Sequence, residues 1–103
     1  MQKVLSIDDI KDAVAQVAAQ FGVRRAVLYG SYANGQRTAQ SDIDLFVEYL
    51  ANTYIDLFTI SRLRLALVDI MGKEVDLAPI QYIESSLFNI EAEIEKGVVV
   101  YEV

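Results

Sequence analysis

The chain has 103 residues, 53% apolar and 23% charged, with one proline and five glycines, the composition of a single globular unit. Fifteen acidic against nine basic side chains leave a net charge of −6, which argues against a surface for nucleic acid or an anionic membrane, because phosphates would be repelled. With no cysteine and no histidine, disulfides, thiolate nucleophiles, serine–histidine triads and ordinary zinc sites are excluded, so any metal must sit on oxygen.

Ser6 followed three residues later by Asp9 predicts a capped helix start, and Ile7, Ile10, Val14, Val17, Ala18 and Phe21 recur at helical spacing up to Gly22. Arg24 to Tyr29 reads as a short buried strand closed by Gly30. From Gly30 to Ser41 the chain is polar and predicts a loop with room for one helical turn at Tyr32. Ser41 and Asp44 could cap a helix, but Ile43, Leu45 and Val47 share one parity against Asp42, Asp44, Phe46 and Glu48, so a strand to Tyr49 is preferred. Thr53 with Asp56 opens a second helix, whose Leu57, Ile60, Leu63, Leu67 and Ile70 predict a core-facing stripe ending at Gly72. Glu74 to Ile80 is a third strand, with Pro79 at its end or at a sheet edge. A final helix from about Ile83 to Lys96 places Ile83, Leu87, Ile90 and Ile94 on one face. Gly97 is its left-handed stop, and Val98 to Tyr101 form a last strand.

No linker, repeat or low-complexity stretch interrupts residues 1–103, which read as one domain of α/β (α+β) class: a mixed β-sheet of about four strands with helices packed on it. A unit of this size hides only about two-thirds of its unfolded surface, which suits a chain that relies on a homo- or hetero-oligomeric partner. No apolar run approaches the roughly 20 residues of a membrane span, and the start of the chain does not lead into a signal-peptide core, so a cytoplasmic protein is expected.

The chemistry is carried by carboxylates. On a strand, Asp42 and Asp44 aim at the same face with β-carbons about 7 Å apart. Two such anions repel, and a divalent ion removes that cost. Magnesium suits the pair, because it prefers oxygen and is typically held by one or two carboxylates plus substrate phosphates, which implies a nucleoside triphosphate. Asp76, on a strand expected to neighbour theirs, is the third carboxylate of the cluster. Gly30 and Ser31 follow a buried strand, as a phosphate-holding turn should: glycine permits close backbone approach and Ser31 offers a hydroxyl and an N–H. Arg37, the only cation of that loop, could add charge. Tyr29 and Tyr32 read as packing groups, and Arg62 and Arg64 as solvated surface.

Gly30-Ser31, ten intervening residues, then Asp42-Ile43-Asp44 resemble the signature of the DNA polymerase β-like nucleotidyltransferase superfamily. Asp76, within Lys73-Glu74-Val75-Asp76-Leu77, stands where that superfamily carries its third acidic residue. The chain looks like the minimal nucleotidyltransferases (MNT), many of them antitoxins whose partner is a helical HEPN-domain RNase toxin. The resemblance implies the polymerase β-like nucleotidyltransferase fold and transfer of AMP from ATP to a tyrosine of the toxin. It further implies that Asp42, Asp44 and Asp76 form the catalytic and metal-binding set for two magnesium ions, with Gly30 and Ser31 holding the triphosphate.

A P-loop is discarded, since Gln36-Arg37 stand where its lysine and hydroxyl residue are required. Two alternatives to protein adenylylation stay open: a non-catalytic antitoxin whose acidic surface complements a basic ribonuclease, and nucleotidyl transfer to a small hydroxylated molecule.

Overall fold

The computed structural model describes residues 5–30, 32–33, 35–36, 38, 41–80 and 90–103. The first helix, α1 (Ile7–Val17), starts with the predicted capping box: the Asp9 N–H donates to the Ser6 hydroxyl and the Ser6 N–H to the Asp9 carboxylate, both at 3.0 Å. These two bonds satisfy amide groups that a helix start leaves without partners. A 3₁₀ turn, Ala18–Phe21, continues it to Gly22. The remaining elements are β1 (Val23–Tyr29), β2 (Ile43–Tyr49), α2 (Leu57–Met71), β3 (Val75–Pro79), α3 (Ile90–Lys96) and β4 (Val98–Glu102). They form a four-stranded sheet in the order β3-β2-β1-β4, in which β1 is antiparallel to β2 and β4, while β2 and β3 are parallel. This is the mixed sheet with packed helices that the sequence predicts, and Pro79 both ends β3 and lies on an edge strand.

Period-two alternation divides β1, β2 and β3 between two cores. Ala26, Leu28, Ile43, Leu45, Val47 and Val75 face α1 and α2, whose Ile10, Val14, Leu63 and Leu67 complete the larger core. Val27 and Phe46 face the other way and pack with Ile80 and with Ile94 of α3. Of the predicted apolar face over residues 83–94, only the Ile94 side chain falls within the described residues.

Three expectations are corrected. The cap of α2 is Asp56 rather than Thr53: its carboxylate accepts from the Thr59 N–H at 2.8 Å and the Thr59 hydroxyl at 2.9 Å. The α2 stripe is core only at Leu63 and Leu67, with Met71 added, whereas Leu57 is 76% exposed and Ile70 38% exposed. Burial follows the i, i+4, i+8 row from Leu63, so Ile70 falls at its margin and Leu57 lies beyond the covered turns. Gly97, finally, is not in the left-handed region, unlike Gly22, Gly30, Gly35 and Gly72. It is needed for close packing: a Cβ there would stand 2.5 Å from the Leu28 carbonyl oxygen.

Leu67→Ala should therefore cost about 2–5 kcal/mol by emptying a packed site, and Leu57→Ala should stay within about 0.5 kcal/mol, both read from urea unfolding midpoints. The hydrogen bonds from Thr59 hold the Asp56 carboxyl below its ordinary range. A depressed folded value favours the fold above the unfolded carboxylate pKa and loses that contribution as pH falls through the folded one. The stability deficit of Asp56→Ala is accordingly expected at neutral pH and should shrink on acidification, in parallel urea series.

Candidate active site

Strand direction alone brings the motif together. Because β1 runs against β2 and β2 runs with β3, the end of β1 lies beside the beginnings of β2 and β3. The ladder pairs Tyr29 with Asp44 and Asp44 with Asp76, a row across three strands on the sheet face away from α1 and α2. Asp42 immediately precedes β2 and is exposed, as is Asp76, while Asp44 is half-buried.

Gly30 makes room for this row. Its φ is 75°, and a Cβ at that position would stand 2.8 Å from Oδ2 of Asp44. A side chain would be strained by the left-handed backbone and would also meet the carboxylate. Tyr32 and Ala33 form a turn, with the Ala33 N–H donating to the Gly30 carbonyl at 3.1 Å. Ser31 and Arg37 lie outside the described residues.

Burial raises the Asp44 carboxyl above its ordinary value, and the neighbouring Asp76 and Asp42 carboxyl groups raise it further. The donor set is all oxygen, which fits magnesium, and a hard cation would offset the repulsion within the pair. Among the described residues, no three acidic groups already stand as a coordination shell. Asp42 acts on Asp44 through its charge.

Tyr29 stacks on Phe46 with ring centroids 4.0 Å apart and an interplanar angle of 16°, which agrees with a packing role. Burial, then the charges of Asp44 and Asp76, push its hydroxyl pKa up. Tyr32 is fully buried, and its hydroxyl accepts from the Leu5 N–H at 3.2 Å. Arg64 departs from the expected solvated role: Nε donates to the Val75 carbonyl at 2.9 Å and Nη2 to Glu74 at 2.6 Å, tying α2 to the start of β3. Lys73, which no motif singled out, is 4% exposed. A lysine directly after a helix-ending glycine gives no periodic signal of burial.

Residues 7–100 match the family model of the nucleotidyltransferase domain. The chain belongs to the nucleotidyltransferase family. A Methanocaldococcus jannaschii protein named "Putative protein adenylyltransferase MJ0435" is 36% identical over 73 residues, covering 71% of this chain and 76% of that protein. Among solved structures, a toxin-antitoxin crystal structure with AMP-PNP superimposes with a TM-score of 0.71 at 19% identity, over 90% of this chain and 73% of that one. A tri-AMPylated Shewanella oneidensis HEPN toxin in complex with MNT antitoxin gives 0.64 at 18% identity, over 91% and 71%. The described residues of this nucleotidyltransferase contain no helix long and apolar enough to cross a membrane.

A carboxyl whose folded pKa is raised disfavours the fold at neutral pH, since its charge is costlier there than in the unfolded chain. Asp44→Asn removes that charge at nearly constant shape. In EDTA at pH 7, the melting temperature of Asp44→Asn should exceed that of the parent, and the gap should close as pH falls below the unfolded carboxylate value of about 3.9. Differential scanning calorimetry across that range measures it.

Proposed function

We propose that this nucleotidyltransferase transfers AMP from ATP to a protein hydroxyl, and that the acceptor is a HEPN-type RNase toxin for which it acts as antitoxin. The observation that carries the reading is the register pairing of Asp44 with Asp76 on adjacent strands, with the Asp44 carboxylate held against Gly30, an acidic sheet end beside a backbone turn open to close approach. The relative named as a protein adenylyltransferase supports adenylyl transfer to protein, and the AMPylated toxin complex supports the kind of acceptor.

In this reading Asp42, Asp44 and Asp76 would hold magnesium, two ions in all. When bound, magnesium supplies positive charge that offsets the charge developing on the phosphoryl and pyrophosphate oxygens. Gly30 brings its backbone close to the triphosphate, Ser31 donates from its hydroxyl and N–H, and Arg37 adds charge at the loop. The acceptor hydroxyl oxygen forms a bond to the α-phosphorus as the bond from that phosphorus to the pyrophosphate oxygen breaks, and the electron pair leaves with pyrophosphate. Asp76 accepts the hydroxyl proton, because the chain has no histidine to serve as base. The net charge of −6 complements a basic ribonuclease surface.

Purified protein incubated with α-labelled ATP, magnesium and a HEPN-type toxin should transfer label to the toxin. The variant carrying both Asp42→Asn and Asp44→Asn should lose more than the roughly 100-fold typical of outer-shell changes at metal sites. Neutralisation of the toxin by that double variant, with no label transferred by the parent, would establish a binding antitoxin instead. Label recovered on a small hydroxylated compound would overturn the protein acceptor.

A further inference from the structure

Lys73 is buried at 4% exposure, where an ammonium group is costly unless it is held by polar partners. Its Nζ donates to the Ser41 carbonyl at 3.2 Å and lies 5.9 Å from the centroid of the Tyr32 ring, within reach of a cation–π interaction. Ser41 is the residue before Asp42, Tyr32 is the second residue after Gly30, and Lys73 itself stands three positions before Asp76. One side chain therefore joins the three segments that deliver Gly30, Asp42 and Asp76. The backbone bond from the Ile43 N–H to the Glu74 carbonyl, at 3.0 Å, fixes the strand just beyond Asp42, whereas Ser41 precedes the ladder: its N–H and hydroxyl are bonded to Thr38 within the loop, and its carbonyl is tied to Lys73.

We propose that Lys73 is a positioning residue for the acidic cluster. By gripping the Ser41 carbonyl it sets the direction in which Asp42 leaves the sheet end, and so the approach of Asp42 to Asp44 and Asp76 when a divalent cation binds. It does so from the opposite side of the sheet, among the buried residues beneath α1 and α2, and needs no contact with substrate. The cation-binding part of this inference rests on the metal reading given under the proposed function.

Lys73→Met keeps the apolar stem and removes the ammonium. With the full chain, Mn²⁺ binding in the presence of a non-hydrolysable ATP analogue is followed by electron paramagnetic resonance, and exchange of the Ser41 and Ile43 amides is followed by NMR in EDTA. Lys73→Met should bind Mn²⁺ at least about tenfold more weakly, the scale of outer-shell changes at metal sites. It should speed exchange at Ser41, whose N–H is held by the Thr38 carbonyl at 3.1 Å, more than at Ile43 and leave near-ultraviolet circular dichroism unchanged, and Lys73→Arg should recover most of the affinity. Should Lys73→Met not fold, Lys73→Gln, which is neutral and shorter, carries the same measurements. Parental binding with equal affinity and equal exchange in the variant overturns the positioning role. Absence of Mn²⁺ binding by the parent overturns the metal reading and the metal part of this inference, while faster Ser41 exchange in the variant would still establish the anchor.

Discussion

Backbone register holds two carboxyl groups side by side that would separate if they could. Asp44 and Asp76 are direct partners in the parallel ladder of β2 and β3, and neither strand can slide to relieve them. Sliding β2 by one residue would turn Ile43, Leu45 and Val47 out of the larger core and carry Asp44 into it. The apolar cost of such a slip, at about 1.5–3 kcal/mol for each large side chain exposed, exceeds what the acids would gain from moving apart. Packing on one face of the sheet thus enforces electrostatic crowding on the other.

That crowding is what gives the sheet end its chemistry. Burial raises Asp44 and the charges of Asp76 and Asp42 raise it further, a repulsion that a hard cation would offset. Gly30 extends the same design from β1, since its missing side chain leaves the space that Oδ2 of Asp44 occupies. The Tyr29–Phe46 stack floors the row and keeps β1 and β2 in register on that face. No further element is needed to bring the Gly30 turn and the acids together, because strand direction already does so.

The parts of this arrangement that were legible in the sequence are those with a period or a fixed offset. Alternation through Ile43, Leu45 and Val47 identified β2 and the face of Asp44, and a strand–helix–strand order put Asp76 beside it, since a helical crossover makes the two strands parallel. The misread positions depend on what lies opposite them in space. Gly97 has an ordinary backbone and is glycine because Leu28 passes within 2.5 Å of where a Cβ would be, a contact about seventy positions away in sequence. Leu57 fits the helical stripe by spacing, yet its turn extends past the covered part of α2. Arg64 and Lys73 look like surface cations in any one-dimensional reading. Their roles arise because α2 ends over the start of β3, where the carbonyls of Val75 and Ser41 await donors.

If the cluster holds a ligand as proposed, holding like charges together also ties stability to its binding. A small domain has a net stability of only about 5–15 kcal/mol, so a crowded acidic cluster is a material fraction of it. A ligand that binds only the folded arrangement adds about 2.7 kcal/mol at a hundredfold excess over its dissociation constant. In the function proposed above, the same carboxyl that weakens the bare fold would become the group through which the bound state is strengthened. Removing the charge from Asp44 would then have opposite consequences in the two conditions, raising the stability of the bare chain and abolishing the gain from the ligand. A merely structural aspartate at this register position would shift both conditions in the same direction, because its contribution would not depend on what occupies the space between it and Asp76.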